Sequence, residues 1–303
     1  MDSTKSKAVN EREREFGYEP RDFKKVCEMI YARAGISLSD SKADMVYSRL
    51  SRRLRALGLR NINEYLQALQ DQPESPEWEQ FTNALTTNLT SFFREAHHFD
   101  TLASLLRKRH AANPGRKLLI WSSASSTGEE PYSIAITAAE AFGTLTPPVR
   151  ILATDIDTHV LDIASNGVYV ADRIERMTQQ RLKKFFRKGA GDNAGNVRVI
   201  DALRELITFR QFNLLQEQWP LRGPYDAIFC RNVMIYFDKP TQYGILKRMR
   251  PLLANDSLLF CGHSESFFHA ADLFRPCGRS VYAPATQAVA AIARRPVALA
   301  AQP

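Results

Sequence analysis

The stretch LLIWSSASSTGEEPYSIAI, residues 118–136, decides the fold of this 303-residue chain. It opens with an apolar run typical of a buried parallel strand and passes through small residues to Gly128. It then continues as a helix, with Pro131 predicted at the first helical position. A strand, a tight loop and a helix present a helix N-terminus to a nucleotide-like ligand in doubly wound folds. We therefore predict a Rossmann-like α/β domain.

Two acids, Glu129 and Glu130, stand where a diphosphate-binding loop would avoid negative charge. Gly128 is also the only glycine of this loop, whereas a diphosphate-binding loop places several where the backbone meets phosphate. The acids favour a ligand with a cationic end, such as the ammonium group of S-adenosylmethionine. The alternative is an ordinary strand–loop–helix whose acids complement the helix dipole.

Composition limits the class of protein. With 44% hydrophobic and 24% charged residues, the chain is expected to bury a substantial core in two domains. No apolar run approaches a membrane span of about 20 residues, and the polar start is unlike a signal peptide. Four scattered cysteines without a CxxC pair predict buried thiols in the cytoplasm and no metal site. The net charge of +8 indicates an acidic partner.

Residues 16–87 predict a helical domain. Apolar residues recur at helical spacing from Asp22 to Gly35, and shorter helices are predicted at 63–70 and from Pro76. Between them lies a basic helix, residues 42–57, with a single acid. Solvated helix faces usually mix signs, so this helix predicts a binding surface rather than a merely soluble one. Its candidate substrate-binding residues are Arg49, Arg52, Arg53 and Arg55.

Strands alternate with helices over residues 88–284, which favours a mostly parallel sheet. The predicted strand at 149–156 contains Asp155, an acid where a Rossmann-like fold holds ribose hydroxyls. Residues 169–212 break the alternation with a basic helix, a Gly-rich turn and two strand-like segments, and predict a small β-containing insertion. Residues 1–15 and 285–303 are predicted to be a disordered lead and tail.

Six motifs occur in order along the chain: LTTNLTSFFREAHHF (85–99), WSSASSTGEEPYSIAI (121–136), LATDID (152–157), FNLL (212–215), YDAIFCRNVMIYFD (225–238) and GHSES (262–266). This set closely resembles the bacterial chemotaxis receptor glutamate O-methyltransferases, the CheR family. The resemblance implies an N-terminal helical domain and a class I S-adenosylmethionine-dependent methyltransferase domain with a β-subdomain insertion. It also implies methyl transfer to receptor glutamates for sensory adaptation, with S-adenosylhomocysteine as product.

The resemblance and the chemistry together assign roles to single residues. Glu129 is expected to hold the cationic methionine end of the cofactor and Asp155 the ribose, while Glu130 is a candidate helix cap. Arg94 and Tyr236 are candidates to align the substrate carboxylate, which needs no general base because it is already ionised near neutral pH. The other cofactor positions implied are Asn88, Thr90, Arg94, Asn213, Leu214, Arg231 and Asn232.

Alternatives stay open for several of these positions. Asn88 and Thr90 are also candidate caps of the next helix, and Arg231 is a candidate for a surface ion pair. Two rival functions are a nucleic-acid methyltransferase and a noncatalytic adaptor that senses S-adenosylmethionine. The first would require an Asn/Asp-Pro-Pro-aromatic run where this chain has RNVMIYF, residues 231–237.

The resemblance also implies partners. The basic helix is expected to face the acidic methylation helices of a chemoreceptor cytoplasmic domain. The Gly-rich turn, residues 188–195, is expected to dock the pentapeptide at the receptor C-terminus by strand addition, with Arg187, Lys188 and Arg198 meeting its acids. A flexible surface hairpin without a partner is the alternative. We further expect a cytoplasmic monomer without nucleic-acid binding or membrane insertion.

Overall fold

A computed structural model describes residues 14–285 and divides the chain into two compact units, Met1–Thr87 and Asn88–Pro303. The expectations of a disordered lead and tail therefore fall mostly outside the described residues. Within them, no helix has the length and apolar character needed to cross a membrane.

The described part of the first unit, residues 14–87, contains four α-helices, as the apolar spacing predicts. Pro20 opens the first helix, where its missing N–H costs no hydrogen bond, and Gly35 ends it in a left-handed conformation with φ +67°. Fully buried side chains from each helix, among them Ile30, Leu50 and Phe81, form the core. The helices are α1 (Pro20–Ala34), α2 (Ala43–Leu57), α3 (Ile62–Asp71) and α4 (Glu77–Leu85).

Residues 14 and 15 were predicted to belong to a disordered lead, but both form ion pairs with the helical unit. Arg14 forms an ion pair with Asp44 of α2 at 2.8 Å, and Glu15 forms one with Arg55 at 2.5 Å. The charges on α2 thus hold residues that composition alone had assigned to a disordered segment.

Among residues 88–285 the second unit contains ten strands and six α-helices. Its helices are α5 (His97–Ala112), α6 (Glu129–Phe142), α7 (Thr158–Asn166), α8 (Gln179–Phe185), α9 (Asp201–Arg204) and α10 (Lys239–Met249). Its strands are β1 (Leu118–Ser122), β2 (Val149–Asp155), β3 (Val168–Val170), β4 (Phe186–Lys188), β5 (Asn196–Val199), β6 (Ile207–Gln211), β7 (Tyr225–Cys230), β8 (Leu253–Cys261), β9 (Phe274–Gly278) and β10 (Val281–Pro284).

Seven strands form the main sheet, in the order β6-β2-β1-β7-β8-β10-β9. The first five in that order are parallel, and β10 and β9 add an antiparallel edge. From β1 the chain continues to β2 on one side and later to β7 on the other, so β1 lies at a topological switch point. Ligands bind beyond the carboxyl ends of the strands at such a point. The predicted parallel α/β fold is confirmed.

The insertion is a separate three-stranded antiparallel sheet in the order β3-β5-β4. The predicted bounds of 169–212 were too wide, because β6 (Ile207–Gln211) pairs with β2 in the main sheet. A five-residue strand does not reveal which sheet it joins. That choice depends on partners far away in the sequence.

Candidate active site

The loop after β1 is shaped by two residues in the left-handed conformation, Ser126 at φ +48° and Gly128 at φ +100°. A Cβ atom on Gly128 would lie 2.9 Å from the Cβ of Ala164, so only glycine fits. The helix α6 begins directly after this glycine. Pro131 is therefore its third residue and not its first, a position that still tolerates proline because the first-turn N–H groups have no partner within the helix.

Asp155 is the last residue of β2, is buried, and closes the same loop. Its Oδ2 accepts the Ser126 backbone N–H at 2.8 Å, and its Oδ1 accepts the Asp157 N–H at 3.1 Å. Burial raises the pKa of Asp155 to about 6. An ionised carboxylate has about four acceptor sites, so two amides leave capacity for ligand hydroxyls.

Glu129 opens α6 and is fully buried. Its Oε2 accepts the Thr127 hydroxyl at 2.6 Å, whereas its Oε1 has no hydrogen-bond partner in the described part of the chain. The nearest cation is the Arg173 Nη1, 3.4 Å from Oε1, and Arg173 also donates to the Thr90 carbonyl at 3.2 Å. A buried, under-bonded carboxylate oxygen fits a cationic ligand group, and with Asp155 it fits the ammonium and ribose of S-adenosylmethionine.

Glu130 and Arg231 form a buried ion pair beside this loop, with Oε2 and Nη1 2.9 Å apart. Glu130 also accepts the Ser122 hydroxyl at 2.7 Å, and burial raises the pKa of its carboxyl group. Arg231 additionally donates to the Arg94 carbonyl and lies 3.6 Å from Glu95. The alternative of a surface ion pair for Arg231 is wrong, since its guanidinium is enclosed by these groups.

Residues 88–95 cross the carboxyl edge of the sheet in an irregular backbone. Asn88 donates from Nδ2 to Asp157 Oδ2 at 2.7 Å, and its carbonyl accepts the Ser126 hydroxyl at 2.9 Å. Phe93 and Glu95 adopt positive φ values of +53° and +58°, a conformation that is uncommon for non-glycine residues and is enriched at active sites. The N-cap of α5 is Ala96, so Asn88 and Thr90 do not cap that helix.

The remaining predicted positions follow β6 and β7. The Phe212 N–H donates to the Asp155 carbonyl at 2.8 Å, which brings Asn213 and the buried Leu214 beside the end of β2. Asn232 follows the end of β7 with φ +57°, and Tyr236 ends the short 3₁₀ turn after it. The structure thus gathers the predicted cofactor positions at one edge of the sheet.

Family models match both units of the chain. The model described as "CheR methyltransferase, all-alpha domain" matches residues 21–86, and "CheR methyltransferase, SAM binding domain" matches residues 88–283. This chain belongs to the CheR methyltransferase family. Its sheet domain is therefore an S-adenosylmethionine-binding methyltransferase domain, and the class I fold and the cofactor predicted from the motifs are confirmed.

Curated relatives agree with this family. The Pseudomonas aeruginosa "Chemotaxis protein methyltransferase 2" is 56% identical over 271 residues, which cover 89% of this chain and 95% of the relative. The Salmonella typhimurium and Escherichia coli proteins named "Chemotaxis protein methyltransferase" are 51% and 50% identical, each over 86% of this chain. They are covered over 89% and 90% of their own lengths. The chain accordingly serves S-adenosylmethionine-dependent methylation in chemotaxis.

In this CheR-family protein the four arginines of α2 differ in their local contacts. Arg49 donates to the carbonyls of Ala84 and Thr86, at 3.3 and 2.5 Å. Arg53 holds Glu77 in a bidentate pair with both distances 2.5 Å, and Arg55 pairs with Glu15. Arg52 is exposed and has no side-chain ion pair among residues 14–285.

Sequence reasoning missed three members of the site. Arg173 reaches Glu129 from the insertion, and Glu95 lies against Arg231. Glu265, inside the GHSES motif, is buried and accepts backbone N–H groups from two loops. A glutamate among small residues of a motif was the available signal for Glu265. Arg173 carried no signal, because its partner is distant in the sequence.

Ligand atoms of Glu95, His97 and His98 lie within 4.8 Å of one another, a grouping that no sequence spacing had suggested. The Arg231 guanidinium adjoins the cluster and opposes a second cation there. Burial, with a further contribution from Arg231, also lowers the pKa of His98 to about 4. We assign no metal to this cluster.

Proposed function

We propose that this protein transfers the methyl group of S-adenosylmethionine to side-chain carboxylates of glutamates on the cytoplasmic helices of chemoreceptors, forming methyl esters. The observation that supports the proposal is the arrangement of side chains at the carboxyl edge of the sheet. There, the under-bonded Glu129 and the buried Asp155 suit the cofactor, and Arg94 and Tyr236 lie on the adjoining segments. The names of the relatives, chemotaxis protein methyltransferases, support methyl transfer in chemotaxis.

The protein's own task in this reaction is alignment. S-adenosylmethionine supplies a methyl group activated on a positively charged sulfur. A glutamate side chain, with an ordinary pKa of about 4.3, arrives already ionised, so no base is required. Arg94, whose backbone is fixed by Arg231, is suited to hold that carboxylate through charge-assisted hydrogen bonds, with Tyr236 as a second donor. Positioning and exclusion of water then supply the rate enhancement.

The receptor surface that we propose is the basic face of α2. Acidic helices would meet Arg52, which is exposed, together with the partly exposed guanidinium groups of Arg49 and Arg53 and the exposed one of Arg55. Such a field raises the association rate and weakens with salt, because exposed charges are screened within about 8–10 Å.

The test is methyl transfer from tritiated S-adenosylmethionine to receptor-containing membranes, with RNA as the competing acceptor. We expect label on the receptor that is released as methanol by mild base, because esters hydrolyse and N-methyl groups do not. Receptors whose methylation-region glutamates are replaced by alanine should remain unlabelled. Base-stable label, or label on RNA alone, would overturn the proposal, and cofactor binding without transfer to any receptor would favour the adaptor.

We also propose that the insertion docks the receptor C-terminal pentapeptide on β4. Among the described residues β4 is an outer strand of its sheet, and Arg187 and Lys188 on it are exposed. The tight turn after it includes Gly189, where a Cβ would collide with the Asn193 carbonyl. Arg198 is less suited to this role than predicted, since it donates to the Asn166 carbonyl and lies near Asp201.

Peptide docking is tested by titration with the cognate receptor tail. A micromolar dissociation constant, about −8 kcal/mol, is sufficient because tethering raises the local concentration of substrate. Deleting residues 189–191 should abolish peptide binding and leave cofactor affinity intact. Val170→Lys on β3, the opposite edge, is the matched control and should bind normally. Absence of binding to the intact protein would contradict the proposal.

A further inference from the structure

Glu265 connects the loops that follow β7 and β8. It is buried, and its carboxylate accepts four backbone N–H groups. Oε2 accepts those of Asn232 at 3.0 Å and Gly262 at 2.5 Å, and Oε1 accepts those of Met234 at 2.8 Å and Ile235 at 3.3 Å. Three of the four donors belong to the turn that carries Asn232 and Tyr236.

The surrounding backbone is built around this carboxylate. A Cβ on Gly262 would lie 2.9 Å from both the Asn232 nitrogen and Glu265 Oε2, so the close approach of the two loops requires glycine. Asn232 itself holds φ +57°, a left-handed conformation that asparagine adopts more readily than most other non-glycine residues. The N–H groups of a turn in this conformation converge, and a single carboxylate satisfies them.

We propose that Glu265 is a positioning residue for methyl transfer, which fixes the turn bearing Asn232 and Tyr236 through these four amides. The proposal rests on the proposed function. Glu265 acts on the geometry of Tyr236, on the acceptor side, and of Asn232, one of the implied cofactor positions. Glu129 and Asp155, proposed for the methionine end and the ribose, lie on the loops after β1 and β2 and keep their places.

Glu265→Gln is the decisive variant. A carboxamide has the same shape but one acceptor oxygen, so one of the two amide pairs would face an NH₂ group instead. Asp226→Asn is the matched control. Asp226 is equally a buried carboxylate on β7, but it accepts the Leu119 N–H at 2.8 Å and forms ion pairs with Arg109, at 3.0 Å, and with Arg116, away from the turn.

Two measurements are made at a temperature where both variants are folded. The first is amide hydrogen exchange in the protein without cofactor, where Asn232, Met234 and Ile235 should exchange at least about tenfold faster in Glu265→Gln than in Asp226→Asn. The second is receptor methylation, where kcat should fall about 10- to 100-fold in Glu265→Gln, the scale of misplacing a reacting group by about 1 Å. The dissociation constant for S-adenosylmethionine should change by a smaller factor than kcat, because Glu129 and Asp155 keep their places and only Asn232 of the implied cofactor positions lies on the loosened turn.

The outcomes separate this inference from the proposed function. Failure of the wild-type protein to esterify receptors would reject the function, while the exchange data would still report on the turn. Equal kcat values for Glu265→Gln and Asp226→Asn, with an active wild type, would overturn the inference alone. If Glu265→Gln does not fold, rapid exchange of the Asn232, Met234 and Ile235 amides in the wild-type protein would overturn it instead.

Discussion

The α2 helix and the carboxyl edge of the sheet both carry several charged side chains, but these differ in how deeply they are buried. On α2, Arg53 and Arg55 pair with acids at partly or fully exposed positions, and Arg52 is left to solvent. At the sheet edge, Glu130 and Arg231 are enclosed with side chains only 9% and 3% exposed.

The difference matters because burial determines how much free energy an ion pair contributes and how much its loss costs. An exposed pair contributes roughly 0–1 kcal/mol, since water and salt screen it. A buried charge that loses its partner costs several kcal/mol, since nothing replaces its hydration. The edge network therefore fixes geometry, whereas the α2 charges remain adaptable for a partner. Four predictions test this contrast.

The largest effect is expected from Arg231→Ala. It would leave the buried Glu130 and the partly buried Glu95 without their cation, so the free energy of unfolding should fall by about 3–5 kcal/mol. Arg53→Ala on α2 should cost about 1 kcal/mol or less. Urea denaturation of both variants measures the difference. Equal losses would show that the two regions do not differ, and partial recovery in the Glu130→Gln, Arg231→Met double variant would confirm the buried pair.

The next effect concerns Asp155. Replacing it with alanine should weaken S-adenosylmethionine binding by about 1–3 kcal/mol, the scale for losing hydrogen bonds to a charged group. Isothermal titration of the folded variant gives the value. Arg52→Glu on α2 is the control and should bind the cofactor normally. An unchanged dissociation constant in Asp155→Ala would remove this residue from the cofactor site.

Acid should weaken cofactor binding through the same residue. The pKa of Asp155 is raised from an ordinary 3.8 to about 6, chiefly by burial and with a smaller contribution from Asp157. If the ionised form holds the ribose, affinity is complete above pH 7 and falls about tenfold by pH 5. The contribution of Asp155 to folding stability depends on pH in the opposite direction. This carboxyl group contributes stability that is present below pH 3.8 and lost as pH rises through 6.

Titrations at pH 5 and pH 8 compare the wild type with Asp155→Asn. The variant should bind the cofactor weakly at both pH values, because it lacks the carboxylate. Its affinity should also be the same at both pH values, because its side chain does not titrate. A wild-type affinity that does not change between pH 8 and pH 5 would show that Asp155 binds the cofactor equally well when protonated.

The sequence could indicate which residues meet at the sheet edge, because the ends of parallel strands lie at the same edge. Once β1 and β2 were recognised as parallel strands, Glu129 and Asp155 had to lie on neighbouring loops of that edge. Glu130 was harder, since its role as partner of Arg231 depends on a residue 101 positions away. The wide bounds of the insertion had the same origin in the pairing of β6 with β2.

On α2 the sequence showed the sign of the charge but not its use. The pattern of basic residues predicted one continuous binding field. In the structure, Arg53 and Arg55 form ion pairs with Glu77 and Glu15, acids from other parts of the helical unit. A one-sided charge pattern within a helix does not reveal acids that tertiary structure brings to it.

The smallest effect is expected from reversing single charges on α2, and it distinguishes charges available to a partner from charges already paired. Arg52→Glu should raise KM for receptor about two- to fivefold at low salt, with less effect as salt rises, and leave the melting temperature unchanged. Arg53→Glu should instead lower the melting temperature, because it removes the cation paired with Glu77 and places a second negative group beside that acid. Methylation assays at two salt concentrations and thermal denaturation measure both. If Arg52→Glu leaves KM unchanged at low salt, α2 is not the receptor-binding surface, and the charge on that helix serves the helical unit alone.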